Sequence, residues 1–288
     1  MLELGGSVVL LSGPLDFDGF FRALGARLFN QVAAVPAIYH ALIRHPRFAA
    51  LDVSTVNWAN YGGAPIAERL VREIQGAFPN ARVGNGFGLT ESSALASVLP
   101  HAEAARHADS VGFAMPVVDV AIDDPGESGV GELLLRGANV VQGYWNKPEA
   151  TSETFVDGWL HTGDLGRVDE DGLLYVVDRK KDMINRGGEN VYSLEVENGL
   201  TGAPGIREVA VMSVPDEMMG EKVGAVIVPA PGAQIDVDAV IAHGRARLAD
   251  FKVPQYLVVR EDPLPRNPNG KVLKAQLREE TVWASPLR

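Results

Sequence analysis

One glycine-rich loop combines residue types that could contact a flat ring, an anion and a metal ion. After a predicted strand at residues 81–84, the chain reads Asn85-Gly86-Phe87-Gly88-Leu89-Thr90-Glu91. Glycines on both sides of an aromatic residue let the backbone pass close to a ring. The Thr90 hydroxyl can donate to a phosphate oxygen, and the Glu91 carboxylate can hold a hard cation such as Mg²⁺. A structural interpretation is also open, in which Thr90 caps a helix and Glu91 lies in its first turn.

A second candidate is a lysine in a turn near the end of the chain. Two prolines and Asn269-Gly270 predict a tight, exposed loop with Lys271 at its tip. A mobile ammonium group can neutralise the charge that develops when a carboxylate attacks a phosphate, because two anions then come together. Lys274, three residues further on, is typical of a solvated helix residue.

The densest group of candidates lies between Gly158 and Glu195. Thr162-Gly163-Asp164 predicts a turn that presents one carboxylate, and the charged run at 178–182 ends an apolar strand. Residues 166–178 have the pattern of a β-hairpin around an Asp-Glu-Asp-Gly turn. The segment at 187–192 predicts a flexible corner, followed by a helix that Ser193 caps. An aspartate in a turn is most often a local hydrogen-bonding residue, so Asp164 needs further support.

The surrounding elements alternate between strand and helix. Strands are predicted at 7–12, 28–35 and 56–61, and helices from about Phe17, from Pro36 and at 66–78. Leu28 is assigned to the apolar face of the first helix. This alternation predicts a parallel sheet covered by helices. Short strands broken by glycine and aspartate between 110 and 178 predict a small barrel-like unit, with Tyr144 and Trp145 as packing aromatics.

Composition excludes several classes of protein. The 288 residues are enough for two ordinary domains, and the net charge of −11 argues against a nucleic-acid-binding surface. The chain has no cysteine, which excludes disulfides and thiolate metal sites, and its six histidines show no metal-ligand spacing. The apolar run near the N-terminus is too short to span a membrane and lacks a basic signal-peptide start. We therefore expect a cytoplasmic protein.

The motifs GGAP, NGFGLTE, TGD, DRKKD, GENVY and PNGK occur in an order that resembles the adenylate-forming (AMP-binding) superfamily. Several short motifs in family order are more specific than any one of them alone. The family includes acyl-CoA synthetases, luciferases and the adenylation domains of peptide synthetases. The resemblance implies an α/β fold in which part of a doubly wound sheet and a small β-barrel-like subdomain precede a smaller, mobile α+β C-terminal domain.

The resemblance also implies a two-step reaction. A carboxylic acid and ATP give an acyl-adenylate and pyrophosphate, with Mg²⁺ as the metal, and coenzyme A then displaces AMP. Phe87 would lie against the adenine, Thr90 would contact the α-phosphate and Glu91 would coordinate Mg²⁺. Lys271 matches the catalytic lysine of the family, and Lys181 matches the hinge between two domains.

Other residues take binding roles by resemblance. Asp164 would accept from the two ribose hydroxyls, and Arg179 would make a second ribose contact. Several further residues would line the acyl, adenine and pantetheine-binding regions: Gly62, Gly63, Ala64, Asn85, Gly86, Gly88, Gly187, Gly188 and Glu189.

The expected domains follow from the same resemblance. Residues 1–178 would form the C-terminal portion of the large domain, with its α/β sheet part at 1–109 and its β subdomain at 110–178. Residues 179–181 would be the hinge and 182–288 the small domain. The Ser/Thr/Gly-rich loop that wraps the β- and γ-phosphates in the family has no counterpart in this sequence. The chain would be a fragment, would work with a separate N-terminal half, or would have lost activity; exposed apolar faces around residues 1–50 predict association.

Three functions are compatible with these features. GENVYSLEVE and GGAP look closest to ligases of fatty and related acids, which favours an acyl-CoA synthetase. A peptide-synthetase adenylation domain is the second possibility, and we expect it less because no carrier domain follows Arg288. The third is a non-catalytic remnant that binds a nucleotide or a partner subunit.

Overall fold

The computed structural model describes residues 5–9, 16–64, 66, 68–267 and 271–287. These residues belong to two compact units, one formed by 1–162 with 166–176 and the other by 163–165 with 177–288. Of the strand predicted at 7–12, residues 10–12 lie outside the described residues and 7–9 have no regular structure. The domain boundaries predicted from the sequence stay predictions.

Helices and strands alternate in the first half of the first unit. Its described helices are α1 (Phe17–Gly25), α2 (Pro36–Arg44), α3 (Glu68–Ala77) and α4 (Pro148–Thr154). Its strands are β1 (Gln31–Ala34), β2 (Trp58–Gly62), β3 (Arg82–Phe87), β4 (Ser97–Leu99), β5 (Phe113–Ala114), β6 (Val118–Asp123), β7 (Gly131–Gly137) and β8 (Phe155–Val156). Two longer strands begin in this unit and pass into the other: β9 (Trp159–Val168) and β10 (Leu174–Arg179).

The first sheet has the order β1-β2-β3-β4-β5, in which β1, β2 and β3 are parallel and the last two strands are antiparallel. Its core joins α1, α2 and α3 to the strands through buried side chains such as Leu24, Leu42 and Phe78. The Tyr39 hydroxyl donates to the carbonyls of Val32 and Asn60, which fastens α2 to β1 and β2. The predicted parallel sheet covered by helices is therefore confirmed.

The apolar face of α1 is shorter than predicted. Asp16 accepts from the backbone N–H of Gly19 at 2.7 Å and so caps the helix, which ends at Gly25. Leu28 follows the helix and is 59% exposed, so its assignment to the apolar face was wrong. With Val8 and Val9 it leaves some apolar surface near the N-terminus, and the association predicted from such surface stays a prediction.

A second, curled sheet has the order β10-β9-β7-β6, with β8 paired to β9. It confirms the predicted barrel-like unit and the hairpin at residues 166–178. The segment Thr162-Gly163-Asp164 was predicted to be a turn, and this is wrong because it lies inside β9. Gly163 has a φ of +67°, which explains how glycine occurs within a continuous strand.

The second unit is an α+β arrangement. Its elements are β11 (Ile184–Arg186), β12 (Glu189–Val191), α5 (Ser193–Leu200), β13 (Ile206–Asp216), β14 (Gly220–Pro229), α6 (Val237–Arg245), β15 (Tyr256–Val259) and α7 (Lys274–Glu280). The sheet order is β12-β11-β14-β13, and β15 pairs parallel to β14. Alternate residues of β14 enter two cores, Val223 and Ile227 with α5 and α6, and Val226 and Val228 with α7.

The fold class predicted from the sequence is confirmed: an α/β sheet, a curled β unit and a smaller α+β domain. The mobility of the small domain stays a prediction. The corner at 187–192 is more regular than expected, because β11 and β12 form a hairpin with Gly187-Gly188 as its two-residue turn. In the described part of the chain, no helix combines the length and apolarity needed to cross a membrane.

Candidate active site

Two glycine-rich loops leave the first sheet side by side. In the parallel pair of β2 and β3, Tyr61 lies opposite Asn85, and Gly62 lies opposite Gly86. The carboxyl ends of both strands therefore meet at one edge, where α/β sheets bind ligands. A Cβ atom on Gly62 would lie 2.3 Å from the Gly86 carbonyl oxygen, and one on Gly88 would lie 1.4 Å from that of Ala94. The packing of the loops alone requires these glycines.

The side chains of this edge differ in exposure. Gly63 and Ala64 are exposed, whereas Asn85 is buried and donates to the Ser110 carbonyl at 3.3 Å. Phe87 is half-buried against the core of the curled sheet. Asn85 therefore has a structural role here, whereas Gly63 and Ala64 are accessible from outside.

Thr90 and Glu91 begin a short 3₁₀ turn that ends at Ser92. The alternative in which Thr90 caps a helix is wrong, because the side chain that closes the turn is that of buried Ser92. Its hydroxyl accepts from the Leu89 backbone N–H at 2.9 Å. Thr90 is exposed, so its hydroxyl can reach a ligand.

Tyr144 holds the Glu91 carboxylate. The phenol donates to Glu91 Oε1 at 2.6 Å, and this hydrogen bond, together with partial burial, raises the pKa of Tyr144. The backbone N–H of Val141 donates to the Glu91 carbonyl. The sequence alone does not show this role, because the tyrosine and the glutamate are 53 residues apart. The neighbouring Trp145, predicted to pack, is 93% exposed, so that prediction was wrong.

In the second unit, a buried carboxylate pairs with a guanidinium group. Asp164 is only 5% exposed, and Arg179 Nε lies 2.6 Å from its Oδ1. Burial raises the pKa of Asp164, while the charges of Arg179 and Lys271 oppose the increase. The strands β9 and β10 position the pair, since Lys180 N–H donates to the Gly163 carbonyl at 2.8 Å.

Lys271 belongs to the same unit and interacts electrostatically with this pair. Its backbone N–H donates to Asn267 Oδ1, and its carbonyl accepts from Asn267 N–H, both at 2.9 Å. We call the two paired segments, residues 266–267 and 271–272, the Lys271 hairpin. Residues 268–270, part of the predicted loop, lie outside the described residues. Partial desolvation and the nearby Arg179 lower the pKa of Lys271, and Asp164 opposes this shift.

Basic residues line a cleft beside the pair. Gly163, Arg179, Lys180 and Lys181 surround a volume of about 380 Å³. The cleft is open, and Arg179 already pairs with Asp164, so Lys180 and Lys181 are the residues whose charges favour an anionic ligand there. The Lys181 carbonyl accepts from Arg278 at 3.3 Å, and the Lys181 side chain is exposed.

The Gly187-Gly188 turn also lies in the second unit. Its glycines have φ values of +61° and +94°, and Gly187 N–H donates to the Met219 carbonyl. Glu189 is exposed at the start of β12. The structure thus brings Asp164, Arg179 and Lys271 together, whereas the turn belongs to the separate sheet β12-β11-β14-β13.

A further group of polar side chains lies on β6, β7 and β9. Ligand atoms of Asp123, Glu132 and His161 are within 4.8 Å of one another, and His161 Nδ1 lies 3.3 Å from Glu132 Oε2. Linear spacing could not predict this group because it comes from three strands. The His161–Glu132 contact accounts for it as a polar pair, and we assign it no metal.

Comparisons with known proteins identify the family. A family model described as "AMP-binding enzyme" matches residues 1–145, and one described as "AMP-binding enzyme C-terminal domain" matches 195–271. A feruloyl-CoA synthase from Amycolatopsis sp is 40% identical over 96% of this chain and 56% of its own length. A long-chain-fatty-acid–CoA ligase from Salmonella typhimurium is 38% identical over 97% of this chain and 50% of its own.

Solved structures give the same assignment. The amide bond synthetase McbA from Marinactinospora thermotolerans matches with a TM-score of 0.81 and 34% identity, over 92% of this chain and 55% of that one. ATP-bound MatB from Rhodopseudomonas palustris matches with a TM-score of 0.80 and 34% identity, over 92% of this chain and 53% of that one.

The chain belongs to the AMP-binding enzyme family, as its motifs predict. The two curated relatives described above are both acid–CoA ligases by name. It spans about half the length of the curated relatives it matches.

Proposed function

We propose that this chain takes part in the ATP-dependent activation of a carboxylic acid and the transfer of its acyl group to coenzyme A. The observation that carries the proposal is the group formed by Asp164, Arg179 and Lys271 beside a basic cleft. Its buried carboxylate can accept from ribose hydroxyls, and its cations suit a phosphate. The ATP in the MatB structure supports a nucleotide as the ligand.

In the first step, a carboxylate oxygen of the acid attacks the α-phosphorus of ATP, and pyrophosphate leaves. Because two anions approach each other, the Lys271 ammonium group would offset the developing charge, and the Thr90 hydroxyl would donate to a phosphate oxygen. Glu91, held by Tyr144, would bind Mg²⁺, which neutralises phosphate charge when bound. A single protein carboxylate fits Mg²⁺, which usually keeps waters and phosphate oxygens as its other ligands.

In the second step, the thiol sulfur of coenzyme A attacks the acyl carbonyl, and AMP leaves with the bonding electrons while the thiol proton is released. No side-chain nucleophile is needed, which agrees with a chain that has no cysteine. Asp164 and Arg179 would hold the ribose through both steps. The turn at residues 187–189 would line the pantetheine channel, and Lys181 would act as the hinge.

Several glycine-loop residues of the first unit also take binding roles in the proposal. Gly62, Gly63 and Ala64 would line the acyl and adenine pocket, and residues 85–88 would pass along the adenine ring with Phe87 against it. We propose a fatty acid as the substrate, because long-chain ligases are among the relatives. The feruloyl-CoA synthase at 40% identity makes an aromatic acid the alternative to test.

Acid-dependent exchange of labelled pyrophosphate into ATP tests the first step. We expect exchange with a fatty acid and its loss by at least about 100-fold in Lys271→Ala, the size expected when a charge-stabilising group is removed. Lys147→Ala is the control, because Lys147 is also exposed but lies outside the proposed site. No exchange by a folded chain with fatty, aromatic or amino acids would contradict the proposal.

The acceptor is tested separately. Acyl-adenylate supplied to the chain should yield AMP and an acyl thioester with coenzyme A. Preference for a carrier-bound phosphopantetheine thiol would favour the peptide-synthetase alternative. Nucleotide binding with no turnover of any acid would favour the non-catalytic alternative.

A further inference from the structure

Lys274 is not the solvated helix residue that the sequence predicts. Its Nζ lies 2.7 Å from Glu197 Oε1 and donates to Ser193 Oγ at 2.7 Å. The side chains of Lys274 and Glu197 are only 15% and 18% exposed. Since Ser193 and Glu197 both lie on α5, this lysine fastens the start of α7 to that helix.

Ser193 extends these contacts to β10. Its hydroxyl donates to Asp178 Oδ1 at 3.0 Å, and its backbone N–H donates to Asp178 Oδ2. Ser193 is the first residue of α5 and not its cap, contrary to the sequence prediction. Asp178 Oδ1 also accepts from the backbone N–H of Arg179 at 2.8 Å. The contacts therefore reach the residue that pairs with Asp164.

Burying these charged and polar side chains lowers the stability of the fold unless they pair with one another. Ser193 and Asp178 are buried, and burial raises the pKa of both Asp178 and Glu197, while the charge of Lys274 opposes the increase. A buried carboxylate that loses its cation is strongly destabilised. The four residues therefore favour one arrangement of α5, α7 and the end of β10.

We infer that Asp178, Ser193, Glu197 and Lys274, which we call the Lys274 network, hold the Lys271 hairpin in register with the Asp164–Arg179 pair. The inference rests on the proposed function, in which both groups contact one nucleotide. Lys274 is then a positioning residue, since it acts through Lys271. The connection is short along the chain, because only two residues separate the two lysines.

A second attachment lies one helical turn further along α7. Arg278 Nη2 lies 2.6 Å from Asp182 Oδ1 and also donates to the Lys181 carbonyl. Lys274 and Arg278 are four residues apart, so they project from the same face of α7. Both attachments end on the charged run at 178–182. Two attachments fix the rotation of α7 as well as its position.

Amide hydrogen exchange of the full chain tests the network without any substrate. The Lys271 N–H is bonded to Asn267 Oδ1, and the Leu273 N–H is bonded to the Pro265 carbonyl. In Lys274→Met, we expect both amides to exchange at least about tenfold faster, because local opening of the hairpin becomes easier.

The matched control is Lys252→Met. Lys252 Nζ lies 2.6 Å from Glu195 Oε1, so the control also removes a lysine that pairs with α5. It should leave exchange at Lys271 and Leu273 unchanged. Ser193→Ala provides a milder test if Lys274→Met does not fold, because it removes the hydroxyl link and keeps the Lys274–Glu197 pair. Wild-type exchange at both amides in a folded Ser193→Ala chain would overturn the inference.

Kinetics give a second, separate readout. Lys274→Met should lower the maximal rate of pyrophosphate exchange at least about tenfold and leave the KM for the acid unchanged, because the predicted acid-lining residues 62–64 lie in the first unit. An equal loss in Lys252→Met would contradict a specific positioning role. If wild type shows no exchange, the proposed function fails, whereas the hydrogen-exchange result still decides whether the network holds the hairpin.

Discussion

At the scale of single residues, the charge of Lys271 depends on its neighbours. Desolvation and Arg179 lower the pKa of this lysine, and Asp164 and Asp182 raise it. The proposed chemistry needs the ammonium form, so the rate of adenylation should fall as pH rises through the lowered pKa. Asp164→Asn removes one stabilising carboxylate and should lower the pKa of Lys271 further.

Nuclear magnetic resonance of ¹³C-methylated lysines measures this shift, with Lys271→Arg to assign the signal. Asp171→Asn is the control, because Asp171 is an exposed residue of the β9–β10 turn. The same pKa for Lys271 in Asp164→Asn and wild type would contradict the electrostatic contact.

The hydrogen bond from Tyr144 to Glu91 gives a second prediction at this scale. Tyr144→Phe keeps the ring and removes the donor. A hydrogen bond to a charged group contributes about 1.5–3 kcal/mol, so we expect the Mg²⁺ concentration for half-maximal pyrophosphate exchange to rise by at least about tenfold. Trp145→Phe should have no effect, because Trp145 is almost fully exposed. An unchanged Mg²⁺ dependence in Tyr144→Phe would show that Tyr144 does not support metal binding.

At the scale of elements, replacing a glycine by alanine should have opposite effects on stability at two positions of the first unit. A Cβ on Gly88 would collide with the backbone at Ala94, whereas one on Gly76 in α3 meets nothing within 4 Å. Gly88→Ala should therefore lower the free energy of unfolding by more than about 2 kcal/mol, because backbone must move. Gly76→Ala should raise it by about 0.5–1 kcal/mol through helix propensity. Chemical denaturation measures both, and a neutral Gly88→Ala would contradict the loop geometry.

The elements could be predicted from the sequence where local patterns decide them. Pro36 marks the start of α2, and the Asp-Glu-Asp-Gly turn marks the β9–β10 hairpin. The turn predicted at Asp164 was wrong because strand pairing, which a local pattern does not show, keeps Gly163 inside β9.

The sequence predicts the residues of the site only as separate motifs. The helical pattern around Lys274 predicts an exposed side chain, because its partner Ser193 is 81 residues away along the chain. The Tyr144–Glu91 bond is equally non-local. Motif order nevertheless predicted the family, because each motif carries its own residue types.

At the scale of the whole molecule, the stability of the second unit should depend on pH through the Lys274 network. In Lys274→Met, the pKa values of Asp178 and Glu197 should rise above those in wild type, because the opposing cation is gone. The folded variant then binds protons more readily than the unfolded chain, so its stability falls as pH rises through that window. We expect a loss of about 3–5 kcal/mol at neutral pH and a much smaller loss near pH 4.

Denaturation of the chain at several pH values measures this dependence. Lys252→Met should cost about 1 kcal/mol or less with little pH dependence, because Glu195 is partly exposed. A loss in Lys274→Met that is the same at pH 4 and pH 7 would show that buried carboxylates are not its cause.

Binding of AMP, measured by titration calorimetry, tests most directly whether Asp164, Arg179 and Lys271 form a nucleotide site. We predict that wild type binds AMP and that Asp164→Asn weakens binding at least about tenfold, because ribose hydroxyls lose a charged acceptor. Asp171→Asn should bind as wild type does. Equal AMP affinity in Asp164→Asn and wild type, or no binding by the folded wild-type chain, would contradict the account.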